Sequence, residues 1–302
     1  MGVNKMKKIL LSLSVVAAVA VVVVGATTAF FSDTETSTGN TFTAGAIDLK
    51  IDNESYYNSL VNGPATWDLR DLIVEKFFNF VDVKPGDDGE DTISLHVNNN
   101  ASWLCVDVTL TSDNDNTCTE PEGEDEMLNL DGSGSTSPSC STDGELAEDV
   151  EFIWWADDGD NVLEEGENTL SGSGGNLGAL TVNGAPAMVT LADSNDNIWT
   201  ETPDTPIPAN EQNPRYIAKA WCFGDIAELP LPQDGETNDW SPATNNNNDL
   251  VVDEKDGGFT CSGASSANNV SQTDSFTADI SFYAVQSRNN PDFTCQAPRG
   301  DE

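Results

Sequence analysis

The sequence predicts an all-β protein: an antiparallel β-sandwich of jelly-roll type, with long acidic loop insertions. Three observations predict it. Apolar and polar residues alternate with period two in segment after segment. Clusters of Gly, Pro, Asn and Asp punctuate those segments, and beyond the first 26 residues no long stretch has a helical period.

The elements follow in order. Ile47, Leu49 and Ile51 alternate with Asp48, Lys50 and Asp52, which reads as a half-buried first strand. Phe77 to Val83 is a second candidate, rich in aromatics. Ile93, Leu95 and Val97 alternate with Thr92, Ser94 and His96, and Leu104, Val106, Val108 and Leu110 with Cys105, Asp107 and Thr109, giving two more half-buried strands. Val150 to Trp155, Ala187 to Leu191, Tyr216 to Phe223 and Ser275 to Gln286 complete a set of about eight. In the last of these, Phe276, Ala278, Ile280, Phe282 and Ala284 share one face. Residues 112–149 and 230–263 read as acidic, loop-like insertions into a domain spanning 47–302.

The start of the chain carries different information. Lys5, Lys7 and Lys8 precede a largely apolar run from Ile9 to Ala26, and Thr27 and Ala29 place small residues before the bulky Phe30. A cationic end, an apolar segment and small residues at the cut form a secretory leader, expected to be removed between Ala29 and Phe30. An uncleaved membrane anchor is the alternative, and the membrane would then be met only through this leader. The Phe30-Phe31-Ser32-Asp33 start, the Ser/Thr/Asn stretch after it and Thr41-Phe42-Thr43-Ala44-Gly45-Ala46-Ile47-Asp48-Leu49 resemble the start of the TasA and camelysin family. Val83-Lys84-Pro85-Gly86-Asp87 leading to Val97-Asn98-Asn99-Asn100 is similar to that family's strand-turn-strand segment. The resemblance implies a jelly roll, leader removal by a SipW-type signal peptidase, and a secreted or cell-surface protein of extracellular fibres or biofilm matrix. It also implies self-association into a homopolymer, with other matrix proteins as further partners. In such a fibre residues 30–46 would form an exchangeable strand that inserts into the next subunit, with Phe30 and Phe31 as its anchors. The competing reading is a first strand packed on its own domain.

Charge narrows the partners. Against 52 acidic residues stand 12 Lys and Arg, a net charge of −40. Such a surface repels nucleic acid and anionic lipid, and it suits high salt, divalent-rich water or a charged matrix. Six cysteines, none spaced C-x-x-C, indicate disulfides rather than zinc outside the cytoplasm. Pairing Cys118 with Cys140 and Cys222 with Cys261 closes each insertion, and leaves Cys105 with Cys295.

Catalysis finds little to work with. The single histidine, His96, lies on the polar face of a strand, and no Gly-x-Ser-x-Gly turn presents a nucleophile. Camelysin-type relatives carry a metallopeptidase label, but hydrolytic zinc needs two or three His ligands and a carboxylate base. No catalytic residue is assigned. Calcium has more support, because Asp157, Asp158, Asp160, Glu164, Glu165 and Glu167 surround Gly159 and Gly166 directly after an apolar strand. Hard Ca²⁺ takes six to eight oxygens, and glycine allows the tight turn that directs several carboxylates inward. The expected ligands are Asp157, Asp158, Asp160 and one of Glu164, Glu165 or Glu167. A solvated acidic turn is the bland alternative, and Asp113 with Asp115, or Asp193 with Asp196, read as loops.

Overall fold

The computed structural model describes residues 47–117, 119, 122, 144–170, 175–176, 187–210, 213–233, 241–263 and 269–295. Chain contacts divide the molecule into residues Met1–Ala44 and Gly45–Glu302, and the described residues belong to the second unit. The leader, the Ala29/Phe30 cut, Phe31, the rest of 30–46, Cys118 and Cys140 lie outside the described residues.

Two antiparallel sheets face each other. The larger is seven-stranded, in the order β2 (Leu60–Val61), β1 (Asp48–Tyr57), β4 (Asp88–Asn98), β9 (Arg215–Phe223), β6 (Val150–Asp157), β7 (Gly175–Asn176), with β3 (Trp67–Arg70) also on β1. The smaller has the order β12 (Ser275–Gln286), β5 (Ser102–Asn114), β8 (Ala187–Ala192). From β4 onward the connections between long strands alternate between the sheets, so the antiparallel sandwich follows from non-local pairing. Local chemistry sets the hairpin of β1 and β2: Asn58 and Ser59 both have positive φ, as a two-residue turn matched to strand twist requires.

Between the sheets lies the main core, where Ile51, Ile93, Leu95 and Val97 meet Leu104, Val106 and Val108. Ile217, Trp221, Phe152 and Trp154 extend it along β9 and β6. Two disulfides have the pairings expected from the sequence. Cys105–Cys295 ties the last described residue to β5, and Cys222–Cys261 ties β9 to β11 (Phe259–Ser262).

Several elements differ from the sequence expectation. Phe77 to Val83 is not a strand but an irregular segment. Extended alternation would send Phe77 and Phe78 to opposite faces. The irregular path instead sets Phe77 against Phe282 (ring centroids 5.8 Å), Phe78 against Phe276 (6.1 Å) and Phe80 against Trp221 (4.8 Å). Strand β4 is not half-buried: Thr92 and Ser94 are buried along with their apolar neighbours. The reason is a second core on the outer face of the larger sheet, where Leu163 and Phe259 cover Ile153, Trp155, Ala218 and Ala220. Residues 230–263 are therefore only partly an insertion, because β11 pairs with β10 (Asp225–Glu228) and delivers Phe259 to that core. At the other expected insertion, β5 runs on to Asn114, and a helical turn α1 (Leu146–Asp149) buries Leu146 and Ala147.

Removing the Phe259 ring should unfold this outer layer's support. Phe259→Ala is expected to cost about 3–5 kcal/mol in chemical denaturation, whereas exposed Val251→Ala should stay within about 0.5 kcal/mol. Equal, small effects at both positions would show that the outer layer is a surface loop and not a core.

Candidate cation site and assembly edge

Strand β6 ends at Asp157, and the acidic loop turns immediately beyond it. Asp157 Oδ1 accepts from the Trp155 indole N–H at 3.1 Å, and Oδ2 from the backbone N–H groups of Gly159 (3.1 Å) and Asn161 (3.3 Å). Asp160 Oδ1 accepts from Val162 N–H at 2.9 Å. Gly159, Asn161 and Gly166 have positive φ, so the loop doubles back twice. Backbone bonds then stitch it to two neighbours, from Leu163 N–H to Gly257 O and from Leu231 N–H to Leu163 O, each 2.9 Å.

This winding brings one carboxylate oxygen from each of Asp158, Asp160 and Glu164 within 4.8 Å of one another. Glu164 is 1% exposed and Asp160 6%. Of the other expected ligands, Asp157 is occupied with the turn's own N–H groups, and Glu167 Oε2 accepts from Glu164 N–H at 2.9 Å. Glu165 is exposed and outside the group. Gln233 Nε2 donates to Glu164 Oε2, a contact from the 230–263 segment that its spacing in sequence does not announce.

Glu90 deepens the site and was not evident from sequence. It lies on the outer face of β4, 1% exposed, and neither carboxylate oxygen has a hydrogen-bond partner. Gly257 makes room for it, since a Cβ there would lie 2.4 Å from Oε1. Burial, then the charges of Asp88, Asp91, Asp157 and Asp160, push its carboxyl well above the usual range. Burial and Asp160 likewise raise Asp157. Burial and Asp157 push Glu167 up to about 10, and burial with Glu254 pushes Asp88 up to about 7. The charges that raise these groups are all carboxylates, so the cluster suits a proton or a cation. Buried acidic groups here can hold a metal ion through hard oxygen donors.

Asp115, Glu122 and Asp274 form a second convergent trio, with Asp274 raised to about 6, first by burial. Asp115, expected in a loop, lies far in sequence from Asp274, and only folding joins it to Glu122 and Asp274. His96 sits 3.1 Å from Asp52 on the outer face.

The second feature is an edge. Strand β12, twelve residues long, pairs with β5 along its whole length, and among the described residues no strand lies on its other side. Its apolar residues, Phe276 to Ala284, pack on the main core but are only partly buried. Two cavities run between β12 and the larger sheet. One, about 690 Å³, is lined by Phe78, Phe80, Phe152 and Phe276 among others. The other, about 360 Å³, is lined by Ile47, Leu49, Ile51, Leu72, Phe282 and Ala284 together with Asp71. No family model and no curated protein matches the chain.

The raised carboxyls give a signed pH dependence. Asp88 and Glu167 hold protons more tightly folded than unfolded, so the folded state binds more protons from the ordinary carboxyl range up to about 7 and about 10. Stability in chelator is therefore greatest at the acid end, and it should fall as pH rises between roughly pH 5 and pH 9. Glu167→Gln should flatten the upper part of that decline in thermal melts. A chelated protein whose stability rises over this range would contradict the buried cluster.

Proposed function

We propose that this chain is a secreted structural subunit that assembles into extracellular fibres or a surface matrix by strand addition, with Ca²⁺ holding its acidic loop. The observation that carries the reading is the long edge of β12, whose apolar face is half-covered and flanked by two cavities. A sheet edge of this length offers a row of backbone donors and acceptors to another strand, and alternate pockets for its side chains. The occupant is residues 30–41 of a second copy. They become free at the Phe30 end when the leader is cut, and because neighbours in an added strand face opposite sides, one of Phe30 and Phe31 can enter a cavity beside β12. The resemblance of residues 30–49 to the start of the TasA and camelysin family supports the same reading.

Calcium fits the loop because Asp158, Asp160 and Glu164 supply hard oxygens and the turn's carbonyls can add more. A second reading, a monomeric calcium-binding surface module, rests on this site alone. Peptidase chemistry is not proposed, since the one histidine cannot furnish a zinc centre of two or three His ligands.

A chain starting at Phe42 separates the readings. It should remain monomeric in analytical ultracentrifugation and bind a synthetic peptide of residues 30 to 41, while the chain starting at Phe30 forms fibres. If both form the same fibres, strand addition is wrong. Calcium should raise the melting temperature of either chain more than sodium at equal ionic strength, and equal shifts would leave only general screening.

A further inference from the structure

The inner face of the larger sheet holds one lysine where only apolar groups are expected. Lys219 on β9 stands directly opposite Asp91 on β4, and its other register partner is Trp154 on β6. Both side chains are completely buried, and Lys219 Nζ donates to Asp91 Oδ2. The Phe78 ring lies over the amine, its centroid 5.9 Å away. Asn53 of β1, itself 2% exposed, donates Nδ2 to Asp91 Oδ1 at 3.1 Å and to Ala65 O at 2.7 Å. A dry environment penalises two ions, and their mutual attraction offsets that penalty poorly. An uncharged product of the pair is free of it.

We propose that Lys219 and Asp91 are joined by an intramolecular isopeptide bond, a covalent rung between the two central strands. The existing hydrogen bond carries one proton from the ammonium to Oδ2, leaving a neutral amine and a carboxylic acid. The Nζ lone pair attacks Cγ of Asp91. Oδ1 takes up the developing negative charge, and the Asn53 N–H already pointing at it stabilises that charge. Oδ2 then departs as water, carrying the proton it received and one of the two left on Nζ. The Nζ–Cγ bond forms, the Cγ–Oδ2 bond breaks and one water is released. Nothing is oxidised or reduced, and no cofactor takes part. Strand register supplies the proximity that makes such a condensation effectively unimolecular, and the enclosed core keeps out the water that would reverse it. Asn53 is a positioning residue here. The inference is independent of strand addition and of calcium.

Peptide mass mapping tests it on the full chain, purified folded with Cys105–Cys295 and Cys222–Cys261 formed, then denatured, reduced and digested with trypsin. The expected product is one branched peptide containing residues 91 and 219, lighter than its two linear parts by one water and uncleaved after Lys219. Lys219→Met and Asp91→Ala should each yield only linear peptides. Because the wild-type digest is itself the decisive readout, poor folding of either variant does not blunt the test. Linear peptides of full sequence mass, with cleavage after Lys219, from wild-type protein carrying both disulfides would overturn the proposal.

Discussion

Burial of the larger sheet on both faces is the constraint from which the other features follow. On β9, Ile217, Lys219 and Trp221 point into the sandwich, while Ala218 and Ala220 point into the outer core. The alanines leave space for Trp155, Leu163 and Phe259 to close over the sheet. Any polar group buried on β4, β6 or β9 must then find a partner within the protein, because water does not reach it. Inside, Lys219 and Asn53 both donate to Asp91. Outside, Glu90 and Asp157 crowd with other acids, and a proton or a cation has to supply the compensation.

The two sheets are also unequal. Among the described residues seven strands face three, so the smaller sheet leaves part of the larger one without a described strand opposite. Phe77, Phe78 and Phe80 fill some of that space from an irregular segment, which is why this stretch gives up its strand. What remains open runs beside β12. The acidic loop lies at the outer face of the larger sheet, away from the β12 edge, so a cation held there would leave the edge open. That separation keeps the proposed assembly surface and the candidate cation site from competing for the same residues.

Much of this was legible in the sequence, for identifiable reasons. Period-two alternation located β1, β4, β5 and β12, because each has one face rich in large apolar residues. Loop closure predicted Cys222–Cys261, and the remaining pair Cys105–Cys295 followed. The outer core was not legible. Thr92, Ser94, Ala218 and Ala220 are small or polar, and alternation reads such residues as solvent-facing until long-range contacts cover them. The acidic cluster was legible in part: the loop's own composition pointed to Asp157, Asp158, Asp160 and one of Glu164, Glu165 or Glu167, of which Asp158, Asp160 and Glu164 converge, yet Glu90 and Gln233 join it only through folding. In a chain so acidic, one more glutamate on a strand carries no signal of its own.

The central claim is that β12 is the acceptor edge for assembly. Amide hydrogen exchange, followed in the monomer and in the assembled form, tests it most directly. The account predicts that those β12 amides directed away from β5 exchange readily in the monomer and become protected on assembly, while β4 and β9 are slow in both states. Assembled material in which β12 exchanges as it does in the monomer would contradict the account.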